Sequence, residues 1–342
     1  MCTAIPESGN RTSMTPVSTT RSITRWRVIE KKAITPLDFI SPRSFPSIIS
    51  LMRIAVTGST GLIGSALVTM LTNGGHEVVR MRRPAEWDPD AGTVNASVLN
   101  GVDAVVHLAG ENVAAGRWTA TRKTRIRDSR VKGTKLIAET FGKMGKRPQV
   151  LVSASAIGYY GDRGAEVLRE DSSPGHGFLA DVCRQWEAAT DTATRNGIRV
   201  VHLRTGIVLS EKGGALKQML LPFKIGLGGR IGSGDQYWSW ILLDDLTSAI
   251  VHCIQASGLH GAVNTVSPSP VTNLEFTKVL GRVLSRPTIF PLPAFAARFA
   301  FGEMADALLL ASARVEPARL LASRFLFRHK DLETALREIL RV

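Results

Sequence analysis

The sequence contains little cysteine and no long apolar run. Its three cysteines, Cys2, Cys183 and Cys253, lie far apart and form no C-x-x-C pair. This argues against a disulfide framework, a zinc site or a redox motif, and is typical of a reducing compartment. No uninterrupted apolar stretch approaches the roughly 18–20 residues of a membrane span. The most apolar helix candidate, FAARFAFGEMADALLLASARV, is interrupted by charged residues and is predicted to be a buried helix. We therefore expect no membrane span. From the cysteine spacing we also expect no metal site.

Acidic residues are scarce relative to basic ones. The chain has 43 Lys and Arg against 29 Asp and Glu, a formal net charge of +14, which favours anionic partners of any kind. Eight Lys or Arg and one Asp lie between Arg117 and Lys135, where Trp118 is the only aromatic residue. A nucleic-acid surface needs several stacking aromatics. We therefore expect a solvated helix face and no nucleic acid, with a protein-partner interface as the alternative.

The first 51 residues differ in composition from the rest of the chain. They are rich in Ser, Thr, Pro and Arg and show no sustained periodicity, which predicts a mostly disordered tail. Three explanations stay open: an organelle transit peptide, a translated upstream segment with Met52 as the natural start, or a genuine tail. No apolar core of the secretory type is present. We expect a cytoplasmic protein, or one of an organelle stroma or matrix if the tail is a transit peptide.

A glycine-rich loop follows the first apolar strand. In RIAVTGSTGLIGSAL, three glycines with the spacing G-x-x-G-x-x-G separate a strand from an amphipathic helix. In such a βαβ unit the first glycine permits a tight turn, the second lets the backbone approach a pyrophosphate, and the third lets the helix pack on the strand. The N-terminus of the helix favours phosphate. The predicted cofactor-binding residues here are Gly58, Ser59, Thr60, Gly61, Leu62, Ile63 and Gly64.

The end of the second strand predicts which dinucleotide is bound. NAD enzymes usually place Asp or Glu there to hold the ribose 2′-hydroxyl. Here Arg80, Arg82 and Arg83 occupy that region, and the nearest acid is Glu86. Because arginine forks suit a 2′-phosphate, we predict NADP(H) as the cofactor, with these three arginines as contacts.

Further apolar strands alternate with helices along the chain. The segments VDAVVHLAG, QVLVSASAIGYYGD and IRVVHLRTGIVLS are predicted strands, and GFLADVCRQWEAATDTATRNG is a predicted amphipathic helix. This alternation predicts an α/β fold, a Rossmann-type doubly wound parallel sheet with a smaller C-terminal substrate lobe. Ligands of such sheets bind at the carboxyl ends of the strands. The predicted cofactor contacts therefore include Leu108, Ala109 and Gly110.

Three parts are expected along the chain. After the tail of residues 1–51, residues 52–205 are predicted to form the NADP-binding Rossmann domain. Residues 206–342 are predicted to be mainly substrate lobe and C-terminal helices, with a sheet strand returning near 236–266. Within this last part, Thr272 or Asn273 followed by Glu275 predicts the capped start of a helix.

The motifs together resemble a known family. They are VTGSTGLIGSAL, VHLAGENV, SASAIGYYGD, LRTGIVL, LPFKIGLGGRIGSGDQYWSWI, VSPSPVTNLEF and FGEMADALLLASARVEPARLL, in order from about Met52 to the C-terminus. They resemble the atypical, epimerase-like branch of the extended short-chain dehydrogenase/reductase superfamily, whose C-terminal domain has no assigned role. The resemblance implies NADP(H) binding and epimerase or oxidoreductase chemistry without a defined substrate, and some members are associated with bacterial or plastid division. One departure is Leu242 in WILLDDL, where the branch usually has histidine.

The usual proton relay of that superfamily is missing. It consists of a tyrosine whose pKa is lowered by a lysine four residues later on a helix, with a nearby serine. The chain has three tyrosines, and none is followed by lysine at that spacing. Aligning the helix on Glu187 places Leu179 and Cys183 at the tyrosine and lysine positions.

Several polar residues near the predicted strand ends are candidate site residues. Ser155 matches the serine of the superfamily and is predicted to be catalytic, and Ser153 is predicted to contact the cofactor; the alternative for both is a satisfied strand-end hydroxyl. Tyr160 and Asp162 in GYYGDRG are predicted to act as substitute acid–base groups; the alternative is that they are polar residues that form the turn. Arg204 in LRTG is predicted to contact an anion or the cofactor; the alternative is that it forms a structural ion pair.

Other polar residues are less favoured as catalytic residues. Tyr159 and Arg163 have the tyrosine–lysine spacing, but a guanidinium barely changes its protonation, and a glycine-rich turn does not hold helical spacing. His107, His176 and Cys183 are expected to be structural, since no partner adjacent in sequence would activate them.

Two functions follow from these observations. The first is an NADP(H)-dependent oxidoreductase or epimerase acting on an unidentified small molecule, with Ser155 orienting a carbonyl or hydroxyl and the proton coming from a nonstandard group or water. The second is a catalytically inactive NADP(H)-binding sensor or scaffold with a protein partner. A monomer or a homodimer is expected in either case.

Overall fold

A six-stranded sheet organises the computed structural model, which describes residues 51–341. All neighbouring strands are parallel, and the chain order reverses between β1 and β5, so a ligand crevice is expected outside the carboxyl ends of these strands. The predicted Rossmann-type fold is confirmed. In spatial order the strands are β12 (Gly261–Thr265), β8 (Arg199–Thr205), β6 (Val150–Ala156), β5 (Ala104–His107), β1 (Arg53–Thr57) and β2 (Glu77–Met81).

Helices and short strands complete the described part of the chain. The helices are α1 (Leu62–Asn73), α2 (Ala120–Gly142), α3 (Phe178–Ala188), α4 (Asp191–Arg195), α5 (Gly214–Lys224), α6 (Leu243–Gln255), α7 (Asn273–Leu284), α8 (Ala294–Phe301), α9 (Glu303–Ala305), α10 (Ala318–Ala322) and α11 (Leu332–Leu340). Turns of 3₁₀ helix span Ala96–Leu99 and Ile157–Tyr160, and a π-helical turn spans Asp306–Leu310. The short strands are β3 (Trp87–Asp88), β4 (Thr93–Val94), β7 (Val167–Leu168), β9 (Ile207–Leu209), β10 (Tyr237–Trp238), β11 (Trp240–Leu242), β13 (Val271–Thr272) and β14 (Arg314–Val315).

The central strands are buried on both faces of the sheet. Ile54 and Val56 of β1 pack in one core cluster with Leu67 of α1 and with residues of α6. Ala55, between them, packs in a second cluster with Ile137 and other residues of α2. Because crossover helices cover both faces of a parallel sheet, its strands are expected to be continuous apolar runs, as β1 and β5 are.

The predicted helix boundaries agree with local chemistry. Helix α1 begins at Leu62 directly after the glycine loop and ends at Asn73, before Gly74. Helix α7 begins with the predicted capping box: the Thr272 hydroxyl accepts from the Glu275 backbone N–H, and the Glu275 carboxylate accepts from the Thr272 N–H. This arrangement satisfies two N–H groups that have no partner inside the helix.

The second half of the chain has a core of its own and also contributes to the main sheet. Helices α5, α7 and α11 pack around Trp240 and Phe276, while β9 and β11 form a parallel pair. Strand β12 joins the edge of the six-stranded sheet beside β8, and β14 pairs with β7. These returns bring the C-terminal segments to the carboxyl-end crevice.

The predicted buried helix over FAARFAFGEMADALLLASARV is wrong. Gly302, with a φ of +62°, separates α8 from α9, and a π-helical turn follows. The side chains of Phe295 and Phe299 on α8 are 75% and 85% exposed, and Ala297 is the buried residue of that helix. The apolar character of α8 therefore reflects an exposed aromatic face, whereas Met304, Ala305 and Val315 later in the stretch are buried.

Two other expectations concern membrane-spanning helices and the N-terminal tail. Among residues 51–341, no helix has the length and apolar character needed to cross a bilayer. The predicted tail of residues 1–51 lies outside the described residues, apart from Leu51.

Candidate functional site

Gly58 and Gly64 hold the loop between β1 and α1 in a form that side chains would disrupt. Gly58 has a φ of +65°, and a Cβ there would lie 2.9 Å from backbone atoms of Leu108 and Ala109. A Cβ on Gly64 would lie 2.1 Å from the Gly58 carbonyl oxygen, so only glycine lets α1 approach the loop this closely. Gly61 is exposed, with only the Gly58 oxygen within reach of an added Cβ, at 3.3 Å. Its face is open to a ligand.

The N-terminus of α1 is suited to an anion. No side chain caps it, and its first turn has no acidic residue. The Ser59 hydroxyl is buried and has no hydrogen-bond partner in the described part of the chain, whereas Thr60 is exposed beside it. Phosphate oxygens are acceptors for free N–H and O–H groups, so this loop fits the pyrophosphate of a dinucleotide. Leu62 and Ile63 follow in the first helical turn, and both are half-buried.

The three predicted arginines are not equivalent. Arg83 makes ion pairs with Asp88 and Asp90, the second at 2.5 Å. Arg80 and Arg82 are exposed, and the guanidinium of neither forms an ion pair with residues 51–341. Arg82 directly follows the carboxyl end of β2, next to β1 in the sheet. The free charge available for a 2′-phosphate is therefore that of Arg80 and Arg82.

A cavity of about 750 Å³ lies at the carboxyl ends of the strands. It runs from the first turn of α1 and the end of β5, past β6 and α3, to the segment of α8, α9 and the π-helical turn. Most of its wall is apolar. Polar or charged residues in the wall are Trp118, Arg130, Ser155, Asp162, His176, Trp186, Thr205, Tyr237, Trp238, Ser239, Arg298, Glu303 and Asp306, and the predicted residues Ile63, Leu108 and Gly110 also line it.

Ser155 is held by a buried ion pair. Its hydroxyl donates to the Glu187 carboxylate at 2.7 Å, and Arg204 binds both oxygens of that carboxylate, at 2.8 and 2.9 Å. The Arg204 side chain is only 5% exposed, and its remaining bonds go to the Tyr160 hydroxyl and the Glu170 carbonyl. Burial alone lowers the pKa of Arg204, but Glu187 and Tyr160 outweigh it and raise that pKa. Most of the donors of Arg204 are thus used inside the protein.

Tyr160 and Asp162 occupy very different places. The Tyr160 side chain is fully buried, and its hydroxyl donates to the Asn264 side-chain oxygen at 2.7 Å. Burial raises the pKa of Tyr160 to about 12, against the opposing charge of Arg204. Asp162 is exposed at the cavity wall, where its carboxylate accepts from the Ser312 backbone N–H at 3.1 Å. Of the two, only Asp162 borders the cavity.

The positions aligned with the missing tyrosine and lysine face the cavity as apolar groups. Leu179 and Cys183 of α3 both line it, and a Cβ on Gly158 would touch Leu179 at 3.2 Å. Burial raises the pKa of the Cys183 thiol to about 12, so the thiol stays protonated. Neither residue can relay a proton at neutral pH.

Tyr159 and Arg163 do not form a tyrosine–cation pair. The Tyr159 ring lies under the guanidinium of Arg204, 3.4 Å from its central carbon. Arg163 donates two hydrogen bonds to the carboxylate of Glu166. Each of the two residues is therefore held by a different partner.

Ser153 and His107 lie side by side in the sheet. They are paired in register between β6 and β5, and both are fully buried. His107 bonds the Thr57 hydroxyl through Nδ1 at 2.7 Å, and burial lowers its pKa to about 4. The imidazole is therefore neutral. The Ser153 hydroxyl makes a long bond of 3.5 Å to the Ala154 carbonyl.

Sequence reasoning missed Glu187 and Arg130 as site residues. Glu187 served only to align the helix, although a buried arginine on a strand requires a carboxylate partner, and this one lies a helical turn after Cys183. Arg130 was included in the basic stretch expected to be a solvated helix face. The stretch does form α2, but Arg130 is half-buried and lines the cavity.

Two family models match the chain. Residues 54–265 match the NAD dependent epimerase/dehydratase family, and residues 292–339 match a domain of unknown function (DUF1731). The first match covers the glycine loop, the sheet and the cavity wall up to β12. A nicotinamide dinucleotide as the cofactor is confirmed at the level of this family.

Relatives and solved structures agree over most of the chain. Epimerase family protein Mb2239 of Mycobacterium bovis is 44% identical over 290 residues, 83% of this chain and 96% of the relative. The chloroplastic SDR39U1 homolog of Arabidopsis thaliana is 37% identical, over 85% of this chain and 87% of the relative. The crystal structure of human SDR39U1 (isoform2) with NADPH has a TM-score of 0.78 and 36% identity, covering 85% of this chain and 99% of that chain. The chain therefore belongs to the NAD dependent epimerase/dehydratase family, in the epimerase-like branch that carries the C-terminal domain of unknown function.

Proposed function

We propose that the protein binds NADP(H) and acts as an oxidoreductase or epimerase on a small molecule. The dinucleotide would be held by the glycine loop at its pyrophosphate and by Arg80 and Arg82 at its 2′-phosphate. The open face of Gly61 and the unpartnered Ser59 hydroxyl support the first contact. The two unpaired guanidinium groups support the second, and the human relative crystallised with NADPH is consistent with it.

The cavity is the observation that carries the enzymatic part of the proposal. It continues from the nucleotide loop past Ser155 into the C-terminal segments, so room for a second molecule adjoins the cofactor site. The bound cofactor would supply or accept the hydride. The Ser155 hydroxyl donates its hydrogen bond to Glu187, so its oxygen lone pairs are available to accept a hydrogen bond from a substrate hydroxyl. The apolar wall favours a substrate with a largely apolar body.

Proton transfer would use Asp162 or water. Asp162 is a carboxylate at the cavity wall, and its bond from Ser312 fixes its direction. Tyr160 is assigned instead to the buried network with Arg204 and Asn264, because its hydroxyl has no free path to the cavity and its pKa is raised to about 12. We infer a structural ion pair for Arg204, because its donors are used by Glu187, the Tyr160 hydroxyl and the Glu170 carbonyl.

A second candidate function is a cofactor-binding sensor without turnover. The apolar groups at Leu179 and Cys183, where the superfamily has tyrosine and lysine, favour it. In that case the C-terminal segments would report the bound cofactor to a protein partner.

The location of the protein, in cytoplasm or organelle, remains a prediction.

Calorimetry and a turnover assay separate these outcomes. The full chain is titrated with NADPH and NADH, and NADPH consumption is then followed with a panel of aldehydes and ketones. We expect binding of NADPH in preference to NADH, with oxidation by at least one carbonyl compound. Binding without consumption across the panel would argue against net carbonyl reduction and favour the sensor or an epimerase, which regenerates its cofactor. No heat with either reduced or oxidised nicotinamide form would overturn the proposed function.

A further inference from the structure

Arg130 of α2 is a cation at the cavity wall with few partners. Its guanidinium donates one hydrogen bond, from Nη1 to the Ile126 carbonyl at 3.0 Å. No carboxylate of residues 51–341 pairs with it; the nearby Glu111 is bound by Arg122 and Arg125. Burial lowers the pKa of Arg130. A guanidinium has five N–H donors, and the described protein accepts one hydrogen bond from Arg130, so most of its donors are left for another molecule.

The surroundings of Arg130 hold its guanidinium against the cavity. Its central carbon lies 5.0 Å from the centre of the Trp186 ring, a cation–π contact. A Cβ on Gly110 would lie 3.3 Å from the same carbon, so glycine in the loop after β5 makes room for the charge. Arg130 lines the cavity together with Ser155 and Cys183. The guanidinium is therefore positioned by packing, while its donors stay open.

The charge of Arg130 faces the position where α3 lacks a lysine. Burial raises the pKa of the Cys183 thiol, and the nearby guanidinium of Arg130 opposes that rise. Cys183 is the residue aligned with the lysine of the superfamily. A cation on α2 thus lines the same cavity as the α3 position at which this chain has cysteine and not lysine.

We propose that Arg130 supplies from α2 the cation that α3 lacks, and that its guanidinium binds oxygen atoms in the nicotinamide half of the bound dinucleotide. This inference rests on the proposed NADP(H) binding. Ribose hydroxyls and the pyrophosphate offer the acceptors that a guanidinium requires. Arg130 acts as a binding and electrostatic group and not as a proton donor, because arginine does not deprotonate in proteins.

The test compares two ligands that differ in the nicotinamide half. The full chain is titrated with NADPH and with adenosine 2′,5′-bisphosphate, which keeps the 2′-phosphate but lacks that half. Arg130→Met retains the aliphatic part of the side chain and removes the guanidinium that lies over Trp186. We expect its affinity for NADPH to fall about tenfold to a hundredfold, the loss of hydrogen bonds from a charged group. Its affinity for the bisphosphate is expected to be unchanged.

Matched variants separate charge from structure. Arg125→Met removes an exposed arginine from the same helix and is expected to change neither affinity, since Arg125 pairs with Glu111 away from the cavity wall. Arg130→Lys retains the charge and is expected to keep more NADPH affinity than Arg130→Met. Cys183→Lys added to Arg130→Met returns a cation to α3 and is expected to restore part of the lost affinity.

Each outcome supports or overturns the inference. Unchanged NADPH affinity in Arg130→Met, with an unchanged melting temperature, would show that Arg130 does not touch the cofactor. Equal losses for NADPH and the bisphosphate, with a lowered melting temperature, would assign a structural role. If Arg130→Met does not fold, Arg130→Lys decides: equal losses for the two ligands overturn the inference, and a loss confined to NADPH supports it. Failure of the unaltered chain to bind either ligand would instead refute the proposed function.

Discussion

The nucleotide end of the site and the region around Ser155 differ in whether their polar groups have protein partners. At the nucleotide end, Ser59, Arg80 and Arg82 have side-chain donors without protein partners, and Gly61 leaves the backbone uncovered. Around Ser155, in the middle of the cavity, the polar groups satisfy one another through Glu187 and Arg204. The difference separates candidates for ligand contact, whose polar groups have no protein partner, from residues whose polar groups are already satisfied within the protein.

The comparison makes a general prediction. Substitutions at the nucleotide end should change ligand affinity with little effect on the free energy of unfolding, and substitutions in the Glu187 network should do the reverse. The following tests run from the largest expected effect to the smallest.

Breaking the buried ion pair should have the largest effect. Arg204→Met leaves the Glu187 carboxylate buried without its partner, and we expect a loss of about 3–5 kcal/mol in the free energy of unfolding, measured by urea denaturation. The control is Arg184→Met, which removes a pair with Asp181 in which both side chains are about half exposed, and should cost at most about 1 kcal/mol. A stable Arg204→Met variant with weakened NADPH binding would reverse our assignment and restore the predicted cofactor contact.

Acid should destabilise the fold through His107, which is fully buried on β5. Burial lowers the pKa of His107 in the folded state to about 4, against 6.5 as the ordinary value. The unfolded chain therefore binds a proton first as pH falls, so the contribution is fully present above about pH 6.5 and is lost progressively towards pH 4. The shift corresponds to about 3 kcal/mol.

Denaturation curves between pH 7 and pH 4 measure this dependence. His202, whose pKa burial also lowers, adds a change in the same direction. The informative quantity is therefore the difference between the unaltered chain and His107→Asn, whose side chain can still bond Thr57. Equal pH slopes for the two proteins would show that His107 is not the group concerned.

The glycine loop offers a matched pair within the nucleotide end. A Cβ on Gly64 would lie 2.1 Å from the Gly58 carbonyl oxygen, and we expect Gly64→Ala to cost about 1–3 kcal/mol through overpacking. Gly61 has a φ of −74° and an open face, so Gly61→Ala should fold normally and bind NADPH more weakly. Thermal unfolding and calorimetry on both variants check this. Normal NADPH affinity in Gly61→Ala would place the pyrophosphate elsewhere.

Charge reversal at the end of β2 should have the smallest effect on stability and a clear effect on specificity. Arg80→Glu with Arg82→Glu should reduce the preference for NADPH over NADH by about tenfold to a hundredfold, because charged hydrogen bonds to the 2′-phosphate are lost. Arg83→Glu, whose native guanidinium pairs with Asp88 and Asp90, should reduce it less. Calorimetric titrations with both dinucleotides measure the preference. An unchanged preference in the double variant would remove the 2′-phosphate from this site.

Much of the nucleotide end could be predicted because its signals are local. The turn at Gly58, the close helix at Gly64 and the start of α1 at Leu62 follow from residues within one βαβ unit. The lack of a tyrosine–lysine pair could also be established by inspection. Even there, spacing alone did not separate Arg83 from Arg80 and Arg82. The acids that bind Arg83 are Asp88 on β3 and Asp90 in the turn after it, and the fold of this short hairpin brings them to the guanidinium.

The region around Ser155 could be predicted only in part because its contacts join elements that are distant in the sequence. Ser155 on β6, Glu187 on α3 and Arg204 on β8 meet only once the sheet order and the face of the helix are set. The helical spacing of Arg130 placed it on a basic face, and the packing of α2 against Trp186 decided that it lines the cavity instead.

The sequence by itself therefore determined the fold class, the glycine loop and the missing proton relay. These depend on backbone preferences and apolar periodicity, which act over a few residues. Tertiary structure alone decided which polar side chains are paired and which are free, because the energy of a buried charge depends on the partners that packing brings within hydrogen-bond distance.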